Sequence, residues 1–277
     1  MKNIIITLCF FFSFISISFS QKNNIVVVQI SDPQFGFIED NKSFEPEEKL
    51  LSQALKKINF IAPDFLVVTG DFIHDPESAE QTEAFKKVMR TLDKNIPLYY
   101  TPGNHDLNNS PTIESLARYQ ERYSKPLYSS IVKNGVRFIF MNSVIIKAEY
   151  AQDMEQEQIK WLESLIKDTA LPTVVFLHHP FFLNDFDEEN NYSTIDKEKR
   201  AKYWELFKRL NVKNVFAGHL HNESAAEYQG ISMITTSALG RPLGKTPSGL
   251  RIIKISNEKN NISVTSNYYE IKDIPLQ

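Results

Sequence analysis

Apolar residues recur along this chain in two periods, and the periods alternate. Residues 24–30 form a short β-branched run closed by Ser-Asp-Pro, the pattern of a buried strand. Residues 46–61 follow with apolar side chains at Leu50, Leu51, Ala54, Leu55, Ile58 and Ile61, a helical stripe. The same reading predicts a buried strand over 65–69, an amphipathic helix over 78–92 and a strand over 97–101. Ser78 is the expected N-cap of that helix, with Gln81 at capping-box spacing. Strands at 137–142, 173–177 and 214–217 then alternate with helices at 152–166 and 196–210, whose apolar faces carry Trp161 and Trp204. Such alternation predicts an α/β fold. The last stretch differs: 223–229, 232–237, 250–256 and 262–269 read as strands with no helix between them, an antiparallel ending. Two sheets packed face to face, with helices outside, accommodate both halves.

The N-terminus has a pattern of its own. Lys2, an apolar run from Ile4 to Phe19, and small residues at Ser18 and Ser20 predict a signal peptide over 1–20, cleaved before Gln21. The run is shorter than the ~20 apolar residues that span a bilayer. The expectation is one domain over 21–277, exported to the periplasm or the exterior, with no membrane span after cleavage. Cys9 is the one cysteine and lies in the removed segment, which excludes a disulfide framework, a Cys-ligated zinc site and a thiol nucleophile. Lys plus Arg is 31 against 34 for Asp plus Glu, a net charge of −3, which argues against nucleic acid as a structural partner.

Chemistry-bearing residues gather where the strands end. The first predicted strand is followed by Asp32-Pro33-Gln34, the second by Gly70-Asp71 and the third by Gly103-Asn104-His105-Asp106. His178-His179-Pro180 and Gly218-His219-Leu220-His221 follow two later strands. Ligand-binding residues converge at strand ends in α/β sheets. Oxygen and imidazole donors in this mix suit Mn, Fe, Zn or Mg. Zinc-peptidase chemistry lacks a His-Glu-x-x-His helix, and serine chemistry lacks a Gly-x-Ser-x-Gly elbow.

The ordered set resembles the calcineurin-like metallophosphoesterase superfamily, whose motif series is D-x-H, G-D, G-N-H-[DE], H and G-H-x-H. It looks closest to the Ser/Thr protein phosphatase-like branch with an Asp-Pro-Gln first motif, from Asp32-Pro33-Gln34-Phe35-Gly36, Gly70-Asp71-Phe72-Ile73-His74, Glu80-Gln81-Thr82-Glu83 and Pro247-Ser248-Gly249-Leu250-Arg251. The resemblance implies a four-layer α/β/β/α sandwich of two mixed sheets, with two divalent metal ions at the strand C-terminal ends. It implies that Asp32 and His221 hold the first metal, that Asp71 bridges, and that Asn104, His178 and His219 hold the second. Gln34 stands where the family usually has His, either as a direct ligand or just outside the ligand set. His105 would be the general acid and phosphate contact, with Asp106 orienting its ring. Two adjacent dications about 3.5–4 Å apart clamp phosphoryl oxygens and lower the pKa of a bridging water, whose hydroxide attacks.

The implied activity is hydrolysis of phosphate monoesters. Two alternatives stand: a phosphodiesterase acting on nucleotides or lipid headgroups, and a protein impaired at Gln34 that binds metal or phosphate without turnover. Pro180 points to His178 rather than His179 as the ligand. His74 reads as a support or a substrate contact. The acidic stretch 184–189 reads as a solvated loop or as a lid bringing Tyr192 to the substrate. Arg241 and Lys245, in the glycine-rich stretch 240–249, are candidate phosphate-facing cations.

Overall fold

A computed structural model describes residues 23–168 and 171–274. The expected signal peptide lies outside the described residues.

Strand β1 (Asn23–Ile30) is followed by helix α1 (Glu45–Ile61), β2 (Phe65–Thr69), α2 (Ala79–Met89) and β3 (Leu98–Thr101). Next come the one-turn α3 (Asn104–Leu107), α4 (Ile113–Tyr123), β4 (Ser129–Lys133), β5 (Val136–Phe140), the short α5 (Val144–Lys147) and α6 (Gln152–Ser164). The chain continues through β6 (Thr173–Phe176), α7 (Lys197–Arg209), β7 (Val212–Ala217), β8 (Ser224–Tyr228), β9 (Ile231–Thr235), β10 (Gly249–Glu258) and β11 (Asn261–Glu270). One sheet has the order β11-β10-β1-β2-β3 and the other β4-β5-β6-β7-β9-β8. β1, β2 and β3 run parallel, as do β5, β6, β7 and β9, while β10, β11, β4 and β8 pair antiparallel. Both sheets are mixed, as expected. The β-rich ending is more dispersed than a single antiparallel block. Its hairpins finish different sheets, and β9 runs parallel to β7.

Side-chain alternation along the strands builds the layers. Ile25 and Val27 of β1, Phe65 and Val67 of β2, Phe138 and Phe140 of β5, and Phe176 and Phe216 meet between the sheets in a wholly buried cluster. Val28, Ile30, Leu66 and Val68 face outward and pack in one core with Leu51, Leu55 and Ile58 of α1 and Phe85 and Val88 of α2. Outward residues of the second sheet, Ile139, Val175 and Val215, share that core with Ile159 and Leu162 of α6 and Tyr203, Trp204 and Phe207 of α7. Trp161 is only partly buried, against the same core. These are the four expected layers.

At one end of the sandwich, polar groups replace the apolar filling. Gln29 Nε2 donates to Thr69 Oγ1 and to the Ala217 carbonyl, both at 3.0 Å, and Gln29 Oε1 accepts from Thr236 Oγ1 at 2.8 Å. Arg251 Nε donates to Thr236 Oγ1 at 2.8 Å, and its guanidinium pairs with Glu223. This bracket ties β1, β2 and β10 of one sheet to the β7 and β8–β9 region of the other, beneath the loops that carry the site.

Ser78 caps α2, its Oγ accepting from the Gln81 N–H at 3.2 Å. The Gln81 side chain does not complete a capping box. Its Oε1 accepts from the His74 and Asp75 N–H groups at 3.1 and 2.9 Å and so fastens the loop after β2.

Candidate metal centre

Loops leaving β1, β2, β3, β6 and β7 meet above that polar end. Five candidate ligands have left-handed backbones: Asp32 (φ 49°), Gln34 (37°), Asp71 (50°), His219 (68°) and His221 (52°). Non-glycine residues held there cost about 1–3 kcal/mol each. Loop-to-loop hydrogen bonds hold them: Asp32 N–H to the Gly70 carbonyl at 3.2 Å, Gln34 N–H to Asp71 at 2.9 Å and Gly218 N–H to His178 at 3.0 Å. Glycine is required at two of the crossings. A Cβ on Gly70 would sit 2.4 Å from His178 Nδ1, and one on Gly103 2.1 Å from Asp71 Oδ1.

His178 Nε2 is the centre of one donor group. It lies 3.1 Å from Asn104 Oδ1, 3.1 Å from His219 Nδ1 and 3.4 Å from Asp71 Oδ2. His178 Nδ1 donates to the Thr69 carbonyl at 2.8 Å, which turns the Nε2 lone pair into the group. Asp32 organises the other side. Its Oδ2 accepts from Ser31 Oγ at 2.5 Å and from His219 N–H at 3.0 Å, while its Oδ1 faces His221 Nε2 at 3.3 Å. His221 Nδ1 donates to the Arg241 carbonyl at 2.6 Å, again freeing Nε2. Asp32, Asp71 and His178 offer donor atoms within 4.8 Å of one another, as do His178, His179 and His219.

The charges perturb one another. Burial works to raise the Asp32 and Asp71 carboxyls, yet His221 beside Asp32 and His178 beside Asp71 outweigh it and hold both low. Burial opposes charge on His178, but Asp71 and Asp32 push it up to about 9. His219 is brought down to about 4 by burial and by His178. Asp32 Oδ1 and Gln34 Oε1 are buried with no hydrogen-bond partner. Both oxygens lie on the loop after β1, and the imidazole nearest Asp32 Oδ1 is His221, with Nε2 at 3.3 Å; the two oxygens match cations, since buried polar atoms otherwise require partners. The donors (Asp32, Asp71, Gln34, Asn104, His178, His219 and His221) fit two divalent ions. Bound there, such ions supply Lewis-acid stabilisation of phosphoryl oxygens and acidify water.

His105 and Asp106 stand next to this cluster but not as expected. The His105 ring is oriented by the His74 backbone, Nδ1 donating to the carbonyl at 2.7 Å, and not by Asp106. The Asp106 carboxylate instead accepts from three buried N–H groups, Gly103 at 2.8 Å, Asp71 at 2.9 Å and Phe72 at 3.0 Å. Burial and the negative Asp71 push Asp106 up, while the Gly103 and Phe72 donors pull it down. Its work is to brace the loop that presents Asp71. His105 N–H donates to Asp71 Oδ1 at 2.8 Å and leaves Oδ2 for the cluster.

His179 lies behind His219 with ring centroids 4.3 Å apart, its Nδ1 against Ser143 Oγ at 3.1 Å. The stretch 184–189 is an ordered loop whose Asn184, Asp185, Asp187 and Glu189 are exposed. Glu188 accepts from the Leu183 and Asn184 N–H groups, buried Arg200 donates to the Phe186 and Glu188 carbonyls at 2.7 Å, and Phe186 stacks on Tyr228. That loop delivers Tyr192, whose hydroxyl accepts from Asn104 Nδ2 at 3.1 Å and whose ring covers His219 at 5.0 Å. Arg241 is exposed and lies over the Phe37 ring at 4.9 Å. Lys245 is exposed and, among the described residues, forms no hydrogen bond or ion pair with the ligand set. The backbone carbonyls of Thr69, His74 and Arg241 orient three imidazoles, a role no side-chain pattern signals. Phe37 could have been noticed, as an apolar residue in an otherwise polar loop.

Comparison with known proteins agrees with this geometry. The calcineurin-like phosphoesterase family model matches residues 25–223. A serine/threonine-protein phosphatase CPPED1 from Bos taurus is 33% identical over 273 residues, covering 91% of this chain and 86% of its own. That of Homo sapiens is 34% identical over 265 residues, covering 88% and 83%. Among solved structures, a dimetal phosphatase from Danio rerio superposes with a TM-score of 0.59 at 14% identity, covering 87% of this chain and 98% of its own, a likeness of fold. The chain belongs to the calcineurin-like phosphoesterase family. It is a metal-dependent phosphoesterase, and the donors described above could hold its metals.

Proposed function

We propose that the protein hydrolyses phosphate monoesters, as a phosphatase of the serine/threonine type. The convergence of Asp71, Asn104, His178 and His219 on one point, with His105 hydrogen-bonded to the same Asp71, carries the reading. Two carboxylates against two dications leave the centre positive, as an anionic ester requires. His105 is the proton donor to the leaving alkoxide: its Nδ1 is engaged by the His74 carbonyl, so Nε2 is the nitrogen that exchanges a proton. Tyr192, which shares Asn104 with the cluster, is the substrate contact, and Arg241 at the rim is a second. Relatives named as serine/threonine-protein phosphatases align over nine tenths of the chain and support the monoester choice. The pattern of residues 1–20 supports export. Among the described residues no helix is long and apolar enough to cross a membrane.

The test compares p-nitrophenyl phosphate with bis(p-nitrophenyl) phosphate under Mn²⁺, Fe²⁺, Zn²⁺ and Mg²⁺. Faster turnover of the monoester is expected. Preference for the bis ester would overturn the proposal in favour of a phosphodiesterase. Phosphate binding without turnover under every metal would make the protein a binding module.

A further inference from the structure

We propose that His74 is a positioning residue for Gln34: its ring Nδ1 accepts one N–H of the Gln34 carboxamide and thereby turns Gln34 Oε1 into the cluster as an oxygen donor on the Asp32–His221 side.

An amide is an ambidextrous group. Its oxygen can join a cation, and its NH₂ would repel one. Where His stands in the usual motif, the ring nitrogen has no such ambiguity, so a glutamine here needs something to fix its rotation. His74 is placed to do so. Gln34 Nε2 lies 3.4 Å from His74 Nδ1, while Gln34 Oε1 is buried and unpartnered. With the NH₂ taken by the imidazole, the oxygen is the end left free for a cation.

His74 is itself held on every side. Its N–H donates to the Phe35 carbonyl at 3.0 Å and to Gln81 Oε1 at 3.1 Å. One face of its ring stacks on Phe37 at 4.8 Å and the other on His105 at 4.8 Å, with interplanar angles of 22° and 21°. Phe35 and Ile73 form an isolated parallel bridge, so the loops bearing Gln34 and His74 are zipped together. The imidazole therefore has little freedom to swing away from the amide. Orientation by groups that touch a ligand but not the ion commonly changes metal affinity about 10–100-fold.

The test reads metal binding and rests on the metal-dependent reading of the site, not on the monoester proposal, so a wrong substrate class leaves it unaffected. Mn²⁺ is titrated calorimetrically into metal-free protein, with thermal melts confirming the fold. His74→Phe keeps the stacked ring and the backbone carbonyl but removes the acceptor. It is expected to weaken one of the two binding steps about tenfold and leave the other unchanged. Gln34→Ala is expected to weaken the same step at least as much, and the double variant no further than Gln34→Ala alone. His74→Leu serves as a second arm if the phenyl ring crowds His105. Co²⁺ absorption bands should change in His74→Phe and in Gln34→Ala alike. Additive losses in the double variant, or a His74→Phe titration indistinguishable from the native one, would overturn the proposal.

Discussion

His105 and Asp106 are adjacent in sequence and separable by experiment. His105→Ala removes the proton donor but keeps the backbone N–H that holds Asp71 Oδ1, so most of the metal content should persist while turnover falls about 10²–10⁴-fold. Asp106→Ala leaves the Gly103, Asp71 and Phe72 N–H groups unsatisfied, at about 1–3 kcal/mol each. It should therefore lower the urea midpoint and the metal content together, and native-like stability would show that the brace does not matter. The imidazoles also set a pH dependence. His178 in metal-free protein is raised to about 9 from an ordinary value near 6.5. Its charged form thus stabilises the metal-free fold fully below pH 6.5, and that contribution is lost as pH rises through about 9. Metal must displace this proton, so cation affinity should rise with pH across the same window, with protons released on binding. Calorimetry in buffers of different ionisation enthalpy measures that release. At this scale the candidate donors, and that they gather at the strand ends, were legible in the sequence. The left-handed backbones of Asp32, Asp71 and His219 were not, because they arise from loops meeting across the sheets.

Elements were legible where periodicity was strong and dim where context decided. The strand at Phe65–Thr69 and the helix ending at Ile61 came from pattern alone. Helix α4 shows only Leu116, Tyr119 and Tyr123 as its buried apolar stripe, and Ile113 is exposed, so its signal is thin. Edge strand β4 has a half-exposed sequence, although Asn134-Gly135 beside it, both with positive φ, is the turn that makes such a hairpin. The stretch after β6 was ambiguous for a different reason. Its Asp185, Asp187 and Glu189 side chains are exposed, yet the loop is ordered from beneath by buried Arg200 in the first turn of α7, which donates to the Phe186 and Glu188 carbonyls. This ordered loop fixes Tyr192 over Asn104 and His219. Tyr192→Ala should raise KM for aryl phosphate several-fold with metal stoichiometry intact. A change in metal content without a change in KM would assign Tyr192 to the cluster instead of the substrate.

For the whole molecule, the polar bracket of Gln29, Thr69, Thr236, Arg251 and Glu223 fixes how the two sheets approach beneath the metal centre. Arg251→Met should cost about 2–3 kcal/mol in urea unfolding, below the 3–5 of a fully buried pair, because the Glu223 side chain is 30% exposed. The layer order was legible from strand–helix alternation, but the division of the final hairpins between sheets was not, since pairing partners distant in sequence leave no local trace. That division bears on how the polypeptide is made. β1 is hydrogen-bonded to β10 from Asn23↔Asn257 to Gln29↔Arg251, so an early-synthesised segment waits for a late one. Until Gly249 and its successors emerge from the ribosome, the inner strand that leads to Asp32 keeps a naked edge. Chains cut short before β10 should therefore be adhesive, because the edge of β1 that β10 covers stays unpaired.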